Sequence, residues 1–179
     1  MLRAQLTWVA LLAAAAPAAL AQAPERPVPG PEHKKLEFFV GKWKGEADMK
    51  PNPFVPGGKY NSTDTCEWFD GNFAVVCRSE GSGPAGQMKS LGLIGYSPEE
   101  KVYTYYGLDN GGMMMTSVAR GTLQGDTWTF VDEAKMGGKT VKSRYTMRQL
   151  SPTSYSFKWE TVGDKGEWVT VMEGKQTKI

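Results

Sequence analysis

The sequence predicts an all-β chain, a ten-stranded antiparallel up-and-down barrel with a short N-terminal helix. Three observations predict it. After Gly41, short runs of alternating, β-branched and aromatic residues are broken by turn signals at intervals near the roughly 8 to 12 residues of an all-β sandwich or barrel. None of those breaks is long enough to hide a crossover helix, so neighbouring strands are antiparallel and the topology is a meander. Over residues 154–160, Tyr155, Phe157 and Trp159 alternate with Ser154, Ser156, Lys158 and Glu160, which makes one face dry and the other wet. Closing the sheet on itself buries the dry face and removes exposed edges, with a two-sheet sandwich as the alternative.

Taken in order, residues 1–21 read as a cleaved secretory signal peptide. Arg3 supplies the positive end, residues 8–16 the apolar stretch, and Ala19-Leu20-Ala21 the small-x-small pattern before the cut. Pro17 interrupts the apolar run, which falls short of the roughly 20 residues needed to cross a bilayer, so no membrane insertion of the mature chain is expected. Residues 22–30, rich in proline and alanine, form a linker. A helix starts at Pro31, with Leu36, Phe39 and Val40 on one face, and Gly41 ends it. The strands are expected over 42–50, 59–69, 73–80, 87–96, 101–108, 113–122, 126–134, 139–150, 154–162 and 167–176, and residues 31–179 make one domain.

The 21 Lys and Arg and 19 Asp and Glu residues are interspersed, which leaves no electrostatic footprint for nucleic acid. Both cysteines follow the leader, and export puts them where disulfides persist. A turn at Gly71-Asn72 sets Cys66 opposite Cys77, with Trp68 beside Val75, and a bridge there is worth roughly 3 kcal/mol. Two buried free thiols are the alternative. His33 is the only histidine and lies far from both, so neither a metal site nor any other cofactor is expected.

The run Phe38-Phe39-Val40-Gly41-Lys42-Trp43-Lys44-Gly45-Glu46 resembles the Gly-x-Trp opening of the calycins, the lipocalins and fatty-acid-binding proteins. The later run Leu93-Ile94-Gly95-Tyr96-Ser97-Pro98-Glu99-Glu100-Lys101-Val102-Tyr103 resembles a bacterial, often exported, lipocalin-like family of unknown function. The resemblance implies a lipocalin-like barrel entered through a helix turn, holding a small ligand inside. Lipocalins set a late arginine against the tryptophan; the last predicted strand offers Lys175. Some similar barrels bind haem through a histidine near the C-terminus, and none follows His33, so haem is not expected.

Two-residue periodicity lets each turn fix which residues face one another. With Tyr155, Phe157 and Trp159 inward, Tyr145 opposes Trp159, Met147 opposes Phe157, Phe130 lies by Tyr145 and Trp128 by Met147. Farther out, Ala119 faces Phe130, Gly121 faces Trp128, Thr170 faces Trp159 and Met172 faces Phe157. A polar row of Ser117, Asp132, Ser143, Thr161 and Trp168 follows. The helix plugs the apolar end, and the longer, glycine-rich connections make the other end the mouth. A small amphipathic molecule is expected there, its apolar part toward Trp128, Phe130, Tyr145 and Trp159 and its polar group near Ser117, Asp132, Ser143 and Thr161. The competing expectation is an interior filled by side chains and water.

Other motifs carry less. Gly81-Ser82-Gly83-Pro84-Ala85-Gly86 spells a dinucleotide fingerprint but precedes a strand, so it reads as a flexible loop. Asn61-Ser62-Thr63 fits a glycosylation pattern and reads as a strand start. Met113-Met114-Met115 could present a soft metal or ligand surface, and more often such a run fills irregular space. With no histidine in the barrel, acid–base work would rest on Asp132 with Tyr145 or Tyr103 with Asp109. The expectation is therefore an exported binding protein. A cofactor-free isomerase or lyase and an envelope interaction module are the alternatives.

Overall fold

The computed structural model describes residues 26–52, 56–112, 117–136 and 138–179. The predicted leader and the Met113-Met114-Met115 run lie outside the described residues. Proline at the first turn presets the backbone for α1 (Pro31–Lys34), which tightens into a 3-10 turn (Lys35–Phe39). The N–H of Gly30 donates to Nδ1 of His33 at 3.2 Å, a cap that uses the only histidine as a structural acceptor. The His33 ring is buried edge-on to Phe73 and Tyr96. Gly41 then turns the chain into the first strand at φ +128°, a backbone that favours glycine.

Ten strands follow: β1 (Gly41–Met49), β2 (Gly58–Trp68), β3 (Ala74–Gly83), β4 (Gly86–Ser97), β5 (Val102–Asp109), β6 (Ala119–Gln124), β7 (Thr127–Met136), β8 (Lys139–Ser151), β9 (Ser154–Val162) and β10 (Trp168–Lys178). Each pairs antiparallel with the next, and β1 pairs with β10, so the barrel is closed and the sandwich alternative is excluded. The fingerprint-like glycine segment is not a loose loop. Strands β3 and β4 run into it until Gly83 opposes Gly86, leaving a two-residue turn at Pro84-Ala85.

The register around β8 is as the turns predict, with Tyr145 opposite Trp159, Met147 opposite Phe157, Phe130 opposite Tyr145 and Trp128 opposite Met147. Two neighbouring expectations need correction. Gly121, not Ala119, opposes Phe130, and Leu123 opposes Trp128, because the turn is Gly125-Asp126 rather than Gln124-Gly125. That slip is by two residues and keeps the inward face. On β10 the error is deeper. The ladder shifts between Thr170 and Met172, so Met172 opposes Trp159, Gly174 opposes Phe157 and Val169 opposes Thr161. Before that shift the connection from β9 is one residue longer than the Gly163 to Gly166 turn, so Trp168 opposes Val162 rather than Thr161, which puts that stretch on the other face. Trp168 therefore leaves the polar row and stands outside, where the Arg144 guanidinium lies 4.4 Å from its ring centre.

The helical segment seals one end. Leu36 and Phe39 are buried beneath Phe38, Trp43, Trp128 and Tyr155, with ring centres 5.0 Å apart for Phe39 and Trp128 and 5.1 Å for Trp43 and Tyr155. Trp43 Nε1 donates to the Phe39 carbonyl at 2.7 Å, and Tyr103 Oη donates to Glu32 at 2.5 Å, tying the plug to opposite walls. The basic residue over Trp43 is Lys178, its Nζ 5.0 Å from the ring centre, and not Lys175, which is exposed on the outer face.

Candidate functional site

Counting by twos from Trp43 puts Gly45 and Ala47 inside on β1, and their ladder partners put Tyr60, Ser62, Asp64 and Cys66 inside on β2. Across the next ladder Asp64 opposes Ser79 and Cys66 opposes Cys77. From the other side of β1, Gln176 opposes Gly45. Glycine at 45 is what admits this group: a Cβ there would lie 2.4 Å from Ser62 Oγ and 2.6 Å from Gln176 Nε2.

The result is a polar cluster on the inner wall. Ser79 Oγ donates a short hydrogen bond to Asp64 Oδ1, and Gln176 Nε2 donates to Asp64 Oδ2 at 2.6 Å and to Ser62 Oγ at 3.3 Å. Gln176 is buried, and among the described residues its Oε1 has no hydrogen-bond partner. Burial pushes the Asp64 carboxyl above its ordinary pKa, against the hydrogen bonds from Ser79, Ser62 and Gln176 that favour the ionised form. Four phenols surround it: Tyr60, Tyr105, Tyr145 and Tyr155, from β2, β5, β8 and β9. Each is raised first by burial; the Asp64 charge comes next for Tyr60, Tyr105 and Tyr155, whereas for Tyr145 the phenols Tyr155 and Tyr105 come before it. Tyr105 fits because glycines stand beside it: a Cβ at Gly92 would lie 2.9 Å from its ring and one at Gly107 3.0 Å from its hydroxyl. Tyr105 and Tyr145 are hemmed in by protein, yet neither is sealed from water, so accessible surface remains inside the barrel.

The residues singled out from sequence occupy a second inner region. Asp132 opposes Ser143, whose hydroxyl donates to its carboxylate, and Thr161 lies opposite Ser143 on the far side. Tyr145 and Trp159 are half-buried, whereas Trp128 and Phe130, each 2% exposed, belong to the packed core above the plug. Ser117 lies just before β6 and donates to the Glu133 carbonyl at 2.9 Å. Tyr103 cannot work with Asp109, since its hydroxyl is engaged by Glu32 at the plugged end while Asp109 ends β5 at the other.

The Asp64 cluster escaped sequence reading because β2 is polar on both faces around it, Asn61-Ser62-Thr63-Asp64-Thr65, and shows no alternation. The predicted Cys66–Cys77 pairing was the usable signal. With Cys66 inward, Asp64 and Ser62 follow by parity.

Outside the barrel, an open groove of about 650 Å³ crosses β8, β9, β10 and β1, lined by Arg144, Arg148, Lys158, Glu160 and Glu173 among others. Its charges pair off, Arg144 with Glu160 at 2.7 Å and Arg148 with Asp126 at 3.3 Å, so it offers no field of one sign. The described residues contain no cluster of metal-ligating side chains, and none of their helices is long and apolar enough to cross a membrane.

The raised Asp64 pKa carries a testable sign. A carboxyl raised in the folded state adds stability that is fully present below its unfolded value, near 3.8, and is lost as pH rises through the folded pKa. Asp64→Asn, which mimics the protonated form, is expected to melt a few degrees higher than the wild type at pH 7 and level with it below pH 3.8. Thermal melts by circular dichroism across that range check this. A variant less stable than the wild type at both pH 7 and pH 5, converging with it only as pH falls below 3.8, would reverse the sign.

A closed ten-stranded meander with one plugged end and a carboxyl-centred polar cluster inside defines the class, a small up-and-down barrel with a lined interior. Residues 28–178 match the profile of a protein family of unknown function, DUF1579, and the chain belongs to that family. No functionally curated protein matches it. Among solved structures it is similar to Rv2717c from M. tuberculosis, at 10% identity and TM-score 0.59, covering 84% of this chain and 98% of that one. It is also similar to the S-type phycobiliprotein lyase CPES from Guillardia theta, at 14% identity and TM-score 0.57, covering 83% and 92%. At these identities the likeness is one of fold.

Proposed function

We propose that this is an exported barrel that binds one small amphipathic molecule in its interior, entering at the end opposite the helical plug. The observation that carries the reading is the enclosed polar cluster at Asp64 within a wall of tyrosines that still have accessible surface. A core built only for stability gains little from a half-buried carboxyl, whereas a binding site uses a few convergent polar groups in an apolar wall to orient its ligand. The ligand's apolar part lies along Phe130, Tyr145 and Trp159, above Trp128, and its polar group reaches Asp64 or the Asp132, Ser143, Thr161 and Ser117 region. The Cys66–Cys77 bridge supports export, because such bonds persist in oxidising compartments.

Native mass spectrometry of the protein purified from its own cells tests this reading. The expected result is a co-purifying small molecule, released on unfolding, that perturbs Trp159 fluorescence when added back. Bare protein whose fluorescence answers to no amphipathic probe would overturn it. A second reading, a cofactor-free isomerase or lyase, draws support from the raised Asp64 pKa, since enclosed carboxyls of that kind serve as general acids or bases. Turnover of the co-purified molecule, abolished in Asp64→Asn, would favour it over simple binding.

A further inference from the structure

The charge inside the barrel is one-sided. Among the described residues no ion pair reaches Asp64, whose partners are Ser79, Ser62 and Gln176. Asp132, also on an inner face, is held by Ser143 and no base. The basic residues on inward-facing strand positions are at the ends. Lys178 lies over Trp43 at the plug, and Lys139 is exposed where β8 begins.

When ionised, Asp64 offers acceptors only, and the buried Oε1 of Gln176 is an acceptor with no donor among the described residues. The Gln176 amide cannot rotate to cure this without turning its oxygen toward the carboxylate that Nε2 now serves at 2.6 Å. An enclosed carboxylate with no cation is costly, and so is a buried acceptor with no donor; a bound molecule bringing both charge and N–H groups offsets the two together. The tyrosine rings of β2, β5, β8 and β9 add faces that attract cations.

We propose that the barrel selects an organic cation, an amphipathic molecule whose head is a protonated amine or amidine, and that Asp64 is the residue that receives it. This rests on the interior-binding reading above. The head donates to Asp64, with Gln176 reoriented to share it, and the apolar tail runs along Tyr145 and Trp159. A carboxylate or phosphate head would meet Asp64 and Asp132 as like charges, while the inward-facing Lys178 is held over the Trp43 ring at the plug and Lys139 is exposed where β8 begins.

Isothermal titration at pH 7 with n-octylammonium, 1-octanol and n-octanoate, three probes sharing one tail, tests this. The expected result is 1:1 binding of octylammonium at least about tenfold tighter than either of the others, with that preference lost in Asp64→Asn. Glu46→Gln, which removes an equal charge from the outer face, should keep it. Octanoate or octanol binding as tightly as octylammonium, or a preference that survives in Asp64→Asn, would overturn the cation assignment and leave interior binding standing. If none of the three binds, both the assignment and the interior-binding reading fall.

Discussion

Replacing Trp43 by alanine is expected to cost roughly 3–5 kcal/mol, as removal of a large buried aromatic side chain usually does, and to lower the melting temperature by roughly 10 °C. The residue is 1% exposed and is the point where three parts of the floor meet. Its ring packs on Phe38 and Tyr155, its Nε1 satisfies the Phe39 carbonyl at the end of the 3-10 turn, and Lys178 lies on its face. Alanine would leave a cavity under the plug and strand the Phe39 carbonyl, so part of the cost is an unmade hydrogen bond. Trp43→Phe separates the terms. It keeps most of the ring contact and loses only the donor, so it should recover more than half of the loss in urea unfolding. A Trp43→Ala protein within 1 kcal/mol of the wild type would show that the plug contributes little to barrel stability.

Much of this architecture was legible because the strands on one side of the barrel are amphipathic. The alternation of Tyr155, Phe157 and Trp159 set one face, and tight turns carried it through β8 and β7 with the correct partners. It failed at β10, because the connection from β9 is one residue longer than the Gly163 to Gly166 turn and pairs Trp168 with Val162 rather than Thr161, and the later shift between Thr170 and Met172 brings Met172 back to the inner face. The candidate site shows the same division. Asp132 stood out because it interrupts an apolar face, while Asp64 sits in a strand polar on both faces, where alternation is silent. Lys178 was missed for a related reason. The last strand runs to Lys178 rather than ending at 176, and only those two extra residues bring a base over Trp43.

Removing the Cys66–Cys77 bridge should cost nearly as much as losing Trp43, by a different route. The two residues are direct ladder partners on β2 and β3, separated by 11 positions, and closing so short a loop removes about 3 kcal/mol of chain entropy from the unfolded state. Alanine is the better replacement at both positions, because serine would bury a hydroxyl near Cys66, which is 5% exposed. The Cys66→Ala/Cys77→Ala protein and the reduced wild type should then unfold at similar denaturant concentrations, both well below the oxidised wild type. An oxidised wild type that unfolds together with the double variant would sink the staple argument. The consequence reaches the site, since the Asp64–Ser79 hydrogen bond crosses the same ladder two residues from the bridge. If the bridge also holds that part of the wall closed, loosening it lets water reach Asp64 and moves its pKa back toward the ordinary value. The stability gained by Asp64→Asn at pH 7 should therefore shrink in the bridge-free background, a coupling that a purely unfolded-state effect of the disulfide would not produce.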